Sequence, residues 1–493
     1  MGIPEEIVVA VPNPGFNWKR VTFILLGIAI FLFIYFMPLW PDAVDPAGKA
    51  FPLSREGKAS IALFLLAGIW WVFEVMPIGA TSITIGVVQA IFAIRPAKEA
   101  FRDFMDPSVM FIFGSIVVGL AFTKTGLTRR LAYKMLEVVG ERTSMILLGA
   151  LLITAGLAHL MAHTAAAATV FPILMAIHTL YGEEEGPTRF GKALFIGMAY
   201  AAGAGSIITI LGSARAPAAA GMFREFTGTD ISFFELTKYM FPVGWLMVFF
   251  IWVILMIFLR PEKKVIPGLR DRVKKLSKEL GPLKKDEKFV IFCVLGVVIT
   301  MSLQSVFPAL KALDRAAIML VSTLLFFLVG VLTLKELEDI PWNIILLFGG
   351  AMSIGFCLWQ TGAAQWMAIE WLAMFEKAHW LVFVLSIAFF VLILTNFIMN
   401  VAAIAIALPV SLVVAKYLGV APEPILYASL VTAGMPFLLL IGAAPNAIAY
   451  ESKQFTTGEF FGYGLIPSLV LMAVLAVALL ILWPMLGMPI LIK

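Results

Sequence analysis

A chain of 493 residues, 61% of them hydrophobic and 14% charged, is not a soluble globular domain, where roughly 45–50% and about 25% are usual; it has room for roughly twelve membrane spans of about 20 residues. Stretches such as 289–302 and 463–483 are almost uniformly apolar, which excludes a barrel of alternating strands and makes the expected fold all-α and polytopic. The formal net charge of +5 suits basic cytoplasmic loops and gives no reason to expect a nucleic-acid partner.

In chain order, the first apolar run, 21–36, follows Lys19 and Arg20 and leads into Met37–Pro41. No small-x-small cleavage site comes directly after it, so it reads as a retained first span and not a leader. Spans at 58–76, 79–95 and 107–123 follow. The last of these runs into 124–142, which carries Lys124, Arg129, Arg130, Lys134 and Arg142. Segment 260–288 holds eleven basic against five acidic residues. Both basic segments, and the N-terminus, are expected on the cytoplasmic side.

Between the two basic segments lie 145–180, 190–226 and 239–259. Three full crossings would leave 260–288 outside, so one segment must enter and return on the same face. Segment 145–180 is the candidate. Its arms, 145–161 and 165–180, reach only about 25 Å at 1.5 Å per residue, short of a hydrocarbon core of about 30 Å. After the loop, spans at 289–307, 313–333 and 341–359 lead to 380–416, a second two-armed segment interrupted around Asn396–Asn400. Spans at 423–448 and 460–487 complete the chain, with an external C-terminus. Cys293 and Cys357 lie inside apolar runs with no ligand spacing and are expected to pack.

The chain repeats itself. Phe113-Gly114 through Thr125-Gly126 matches Phe348-Gly349 through Thr361-Gly362, His163–Pro172 matches Asn400–Pro409, and Leu211–Ala216 matches Ile441–Asn446, at offsets of 235–236, 237 and 230 residues. Three collinear matches indicate two copies of one unit, and the opposite sides from which 145–180 and 380–416 enter indicate an inverted duplication. The expected organisation is an N-terminal segment with the first span (1–57), a first repeat (58–260; hairpin 145–180, broken helix 190–226), a basic cytoplasmic loop (261–288) and a second repeat (289–493; hairpin 380–416, broken helix 423–448). Gly203, Gly205, Gly212 and Pro217 interrupt the first broken helix; Gly434, Pro436, Gly442 and Pro445 interrupt the second. Irregular backbone at membrane depth is tolerated only inside protein or against a watery cavity, and matched breaks in two inverted halves point to a transporter's binding site. Helix N-termini freed at such breaks favour an anion.

These residues resemble the divalent anion/sodium symporter family of the ion transporter superfamily, which includes dicarboxylate, tricarboxylate and sulfate carriers. In that family each half carries a Ser-Asn-Thr motif at a hairpin tip and a Gly-Thr-Pro-Pro-Asn-like break in the following helix. The resemblance runs from Arg55 to Pro467 and is clearest at Gly442–Asn446. It implies two re-entrant hairpins, a homodimer, a fixed scaffold with a transport domain moving as an elevator, sodium as the coupling ion, no other cofactor, and a place in the inner membrane in contact with lipid. The sodium positions it implies are Gly212, Ser213, Gly442, Ala443 and Asn446. The motifs depart from the pattern there. The first tip reads Ala162-His163-Thr164, the second Met399-Asn400-Val401, and the first break Gly212-Ser213-Ala214-Arg215, with Arg where Pro is usual.

His163, Thr164, Arg215, Asn400 and Asn446 are the expected substrate contacts. No Asp or Glu falls within either tip or either break, whereas His159, His163 and Arg215 do; the pattern is built for an anion. Arg215 is a permanent cation with a fixed donor fork. It either binds substrate oxygens, supplies the charge of the first sodium, or packs on backbone carbonyls. His163 either donates to substrate, couples a proton, or stabilises the tip. Asn400 and Asn446 match family positions, and Thr164, Ser206, Ser213, Thr395 and Asn396 could add donors. The expected activity is secondary transport of a small di- or tricarboxylate or sulfate-like anion, with sodium coupling weakened or lost at the first site. An anion exchanger or channel of the same superfamily is the alternative. A membrane enzyme has less support, since the chain holds no Gly-x-x-x-x-Gly-Lys-Ser/Thr, His-Glu-x-x-His or Gly-x-Ser-x-Gly pattern.

Overall fold

The computed structural model describes residues 18–492 apart from 45–48, 74, 182–185, 305–306, 308–309, 311–312, 376–378 and 398–399; Glu74, the Glu183–Glu185 cluster and Met399 lie outside the described residues. Eight described helices are long and apolar enough to cross a membrane. Trp18–Phe36, Arg55–Val72, Ile78–Ile91 and Pro107–Thr125 form over the first four expected spans. Their starts are written locally. Ser54 Oγ accepts from Gly57 N at 2.9 Å and Asp106 from Ser108 N at 2.7 Å, each satisfying a first-turn donor that the helix itself cannot.

The repeated Thr-Gly pairs share one backbone role. Gly126 (φ 82°) and Gly362 (φ 75°) close Pro107–Thr125 and Trp342–Gln360 in the left-handed region, where a side chain would be strained. Each is followed by a helix of 13 residues, Leu127–Val139 or Ala363–Phe375. The sequence expectation has no element over 363–375.

The two basic segments share one face, as their charge requires. Leu127–Val139 packs on the loop helix Leu269–Glu279. Thr143 N donates to Lys264 O at 3.0 Å and Ile266 N to Glu141 O at 2.9 Å. Arg130 is paired with Glu287 at 3.0 Å and donates to Gly281 O at 2.6 Å. Glu262, from the same loop, caps Arg189–Ser206 by accepting from Arg189 N at 2.5 Å and Phe190 N at 3.3 Å, and it accepts the Tyr181 hydroxyl at 2.8 Å. Partial burial pushes this carboxyl up, but the donors outweigh burial and hold it below the usual range. Its stabilisation is therefore complete above the unfolded carboxyl's titration and is lost as pH falls through the lower folded one. Glu262→Gln is expected to lower Tm in detergent by a few degrees at pH 7, with the difference vanishing in acid. An unchanged Tm at pH 7 would show that the cap carries no stability.

Segments 145–180 and 380–416 are each two helices packed together, Thr143–Leu157 with His163–Tyr181 and Trp380–Phe397 with Asn400–Tyr417. The expected arm lengths need correction: the arms have 15, 19, 18 and 18 residues, and three of them are long enough to span. The second arm of the first segment begins earlier than expected because His163 already occupies the first helical turn, as Asn400 does in the other segment, where polar groups replace missing helix bonds. Length thus does not set these segments apart; what their tips touch does.

The broken helices are resolved as Arg189–Ser206 with Arg215–Thr227, and as Pro422–Ala433 with a short turn at Leu440–Gly442 and then Ala444–Tyr450. They meet at one glycine from each: a Cβ on Gly203 would lie 2.8 Å from Gly434 O.

Candidate anion-binding site

Each tip is bonded to the break of its own half. In the first half Thr209 Oγ1 donates to His159 O at 2.5 Å and His163 N to Gly212 O at 3.1 Å. Gly212 is pressed so close that a Cβ would sit 2.3 Å from Ala158 O; only glycine fits there. In the second half Asn396 Oδ1 accepts from Leu438 N at 2.9 Å and Leu439 N at 3.1 Å. Thr395 Oγ1 lies 3.0 Å from Ala433 O and 2.9 Å from Asn400 Oδ1.

Between both tips and both breaks is a cavity of about 240 Å³. His163, Thr164, Ser213, Arg215 and Asn400 give its wall polar groups, and Gly442 and Ala443 give it backbone. Gly212 and Asn446 stand outside the set of lining residues. Asn446 Nδ2 spends its hydrogens on Pro436 O at 2.8 Å and Leu439 O at 3.0 Å, so it braces the break and keeps only Oδ1, an acceptor. Asn396 and Thr395, named in the sequence only as added donors, hold the second break in place. Their signal was a polar pair inside an apolar arm just before Asn400. His159 is not on the wall; it stacks edge-on against Trp245 at 5.3 Å.

Arg215 is the first residue of its 13-residue helix and is 1% exposed. Its Nη2 donates to Ser206 Oγ at 2.6 Å. A Cβ on Gly434 would lie 2.6 Å from Nη2, so the guanidinium bridges from the first break to the second. The other buried arginines are neutralised: Arg95 by Asp103 at 2.7 Å and Arg130 by Glu287 at 3.0 Å. Among the described residues no carboxylate pairs with Arg215, and its Nη1 is buried without a hydrogen-bond partner, as are His163 Nδ1 and Ser213 Oγ. A cation at the positive end of a helix, desolvated and unpaired, is costly on every count. An anion placed beside it would offset the unpaired charge.

Residues 18–489 match the sodium:sulfate symporter transmembrane region. The chain belongs to this family of transporters. Among curated members it is similar to the sodium-dependent dicarboxylate transporter SdcS of Staphylococcus saprophyticus, at 25% identity over 92% of this chain and 89% of that one, and to SdcS of Staphylococcus aureus, at 25% over 84% and 83%. Two solved structures share its fold: the YdaH transporter of Alcanivorax borkumensis (TM-score 0.57, 12% identity, 96% of this chain and 98% of that one) and MtrF of Neisseria gonorrhoeae (TM-score 0.55, 13%, 93% and 94%). As a symporter-family member the chain is an integral, all-helical membrane protein whose family handles small anions.

Proposed function

We propose that this protein is a secondary active anion transporter in which Arg215 takes over the positive charge of the first sodium site. The observation that carries this is the buried, unpaired guanidinium on a cavity bounded by both tips and both breaks. A sodium ion about 5 Å from a guanidinium is opposed by roughly 3 kcal/mol at an effective dielectric of 20. The second half keeps the oxygen character a cation needs, with Asn446 Oδ1 left free of the hydrogens that brace the break. Coupling therefore involves at most one sodium, at the Gly442–Asn446 side.

The two halves act as inverted repeats with re-entrant hairpins. This reading is supported by the Gly203–Gly434 approach, the tip-to-break bonds in each half and the shared face of the basic segments. The basic face is cytoplasmic, the protein is a homodimer in the inner membrane, and the hairpins with the broken helices move as the elevator. The cavity shares Leu120, Thr123, Ala165 and Ala168 with a larger one of about 600 Å³ that reaches Leu269 and Leu276 of the loop helix, so access is from the cytoplasmic side.

Counterflow of labelled anion in proteoliposomes, with sodium, potassium or choline outside, tests the proposal. Saturable exchange is expected, with a sodium dependence of order one or none. Flux that never saturates and rises with voltage would make the protein a channel. A steep, cooperative sodium dependence would restore the first sodium site and defeat the role of Arg215.

A further inference from the structure

The cavity wall is mostly apolar, with Ile116, Leu120 and Ala168 from the first repeat and Ile344, Phe348 and Val401 from the second, and most of its polar groups come from the first. His163, Thr164, Ser213 and Arg215 belong to the first repeat, and His163 Nδ1, Ser213 Oγ and Arg215 Nη1 are the buried atoms left without partners. From the second repeat the wall receives Asn400, then Ile344, Phe348, Val401, Ala443 and Ala444. The neighbouring cavity on the access side has the same character, with Leu120, Ile173, Ile177 and Leu180 on its wall and Arg129 as its one cation.

We infer that the substrate is a monoanion with an apolar body, a carboxylate or sulfonate carried on an aryl or short alkyl group. This rests on the reading of the cavity as the transport site. One unpaired cation balances one negative charge. Unless a sodium is bound at Gly442–Asn446, a second carboxylate would meet the second repeat's side with Asn400 as its polar side chain and no cationic side chain among the described lining residues. An uncompensated buried charge there weakens binding by roughly 100-fold or more. Size agrees. A dry cavity of about 150 Å³ holds benzene, so 240 Å³ holds about nine or ten non-hydrogen atoms, the size of benzoate or benzenesulfonate. Val401 stands where the second tip would otherwise carry a hydroxyl, and its methyls suit a ring and not an oxyanion.

The test measures the same purified protein in two ways, thermal shift in detergent and counterflow in proteoliposomes. The probes are benzoate, benzenesulfonate and hexanoate against succinate and sulfate at equal concentration. The monoanions are expected to raise the apparent Tm and support exchange, with at least about 100-fold weaker effects from the dianions. Val401→Thr is expected to narrow that gap by admitting succinate. Equal or stronger stabilisation by succinate or sulfate would overturn the monoanion inference while leaving the transport reading intact. Binding of benzoate with no exchange of any anion would uphold the inferred ligand and sink the transport reading. Stabilisation by none of the probes would overturn the inference as well.

Discussion

Arg215→Gln is expected to abolish anion uptake while leaving the ligand-free protein as stable as the wild type or more so. Removing one partner of a buried charged contact costs about 3–5 kcal/mol, so anion affinity falls by roughly 10²- to nearly 10⁴-fold. Without anion the sign reverses. The wild type then holds a desolvated guanidinium at a helix N-terminus, bonded among the described residues only to Ser206 Oγ at 2.6 Å and with Nη1 unpartnered, and neutralising it removes that cost. A residue whose task was to hold the break together would lose stability and uptake in parallel. Arg215→Lys keeps the charge but not the fork that spans Ser206 and the ligand, so partial uptake with raised KM is expected. Sodium titration of Arg215→Ala separates the two functional roles. Uptake restored by high sodium assigns Arg215 the place of a coupling cation; uptake that stays absent assigns it contact with the substrate. Normal uptake by either neutral variant would remove Arg215 from the site.

Asn396→Ala is expected to give the largest loss of stability of any single change at the tips. The carboxamide accepts from Leu438 N and Leu439 N at 2.9 and 3.1 Å and donates to Leu392 O at 2.7 Å. Alanine orphans two backbone donors inside the protein, at about 1–3 kcal/mol each, and lets the second break drift from its tip. Asn396→Asp keeps the accepting oxygen but loses the donor to Leu392 O and buries a carboxyl, so it should recover only part of the loss. The measurement is the melting temperature in detergent with and without benzoate. A wild-type Tm for the alanine variant would show that the break holds its shape without Asn396.

A good deal of this was legible in the residues. Apolar runs of span length follow from composition, because nothing in a bilayer core satisfies a backbone except the helix itself. The shared face of 124–142 and 260–288 followed from charge alone, since moving basic loops across the membrane is unfavourable. The two Thr-Gly helix stops were visible because a left-handed helix end needs glycine wherever it occurs, as at Gly126 and Gly362. Other features were hidden. Helix Ala363–Phe375 lies where the sequence offers neither a span nor a charge run. The hairpin arms were misjudged because a polar residue at a helix start looks like a link until the chain is folded.

By itself, then, the chain determined that it is a polytopic helical membrane protein, where its two halves break, and that the centre carries cations and no acids. Those are properties of residue type and order. Only the tertiary structure decided which of those groups face the cavity and which brace it, since that depends on contacts between residues far apart in sequence. Asn446 turned inward to hold Pro436 O and Leu439 O, Asn396 became the pin of the second break, and Arg215, unlike Arg95 and Arg130, folded into a place with no carboxylate of the described residues paired with it. No periodicity records whether a buried charge will find its partner; the packing of the two breaks against each other settles it.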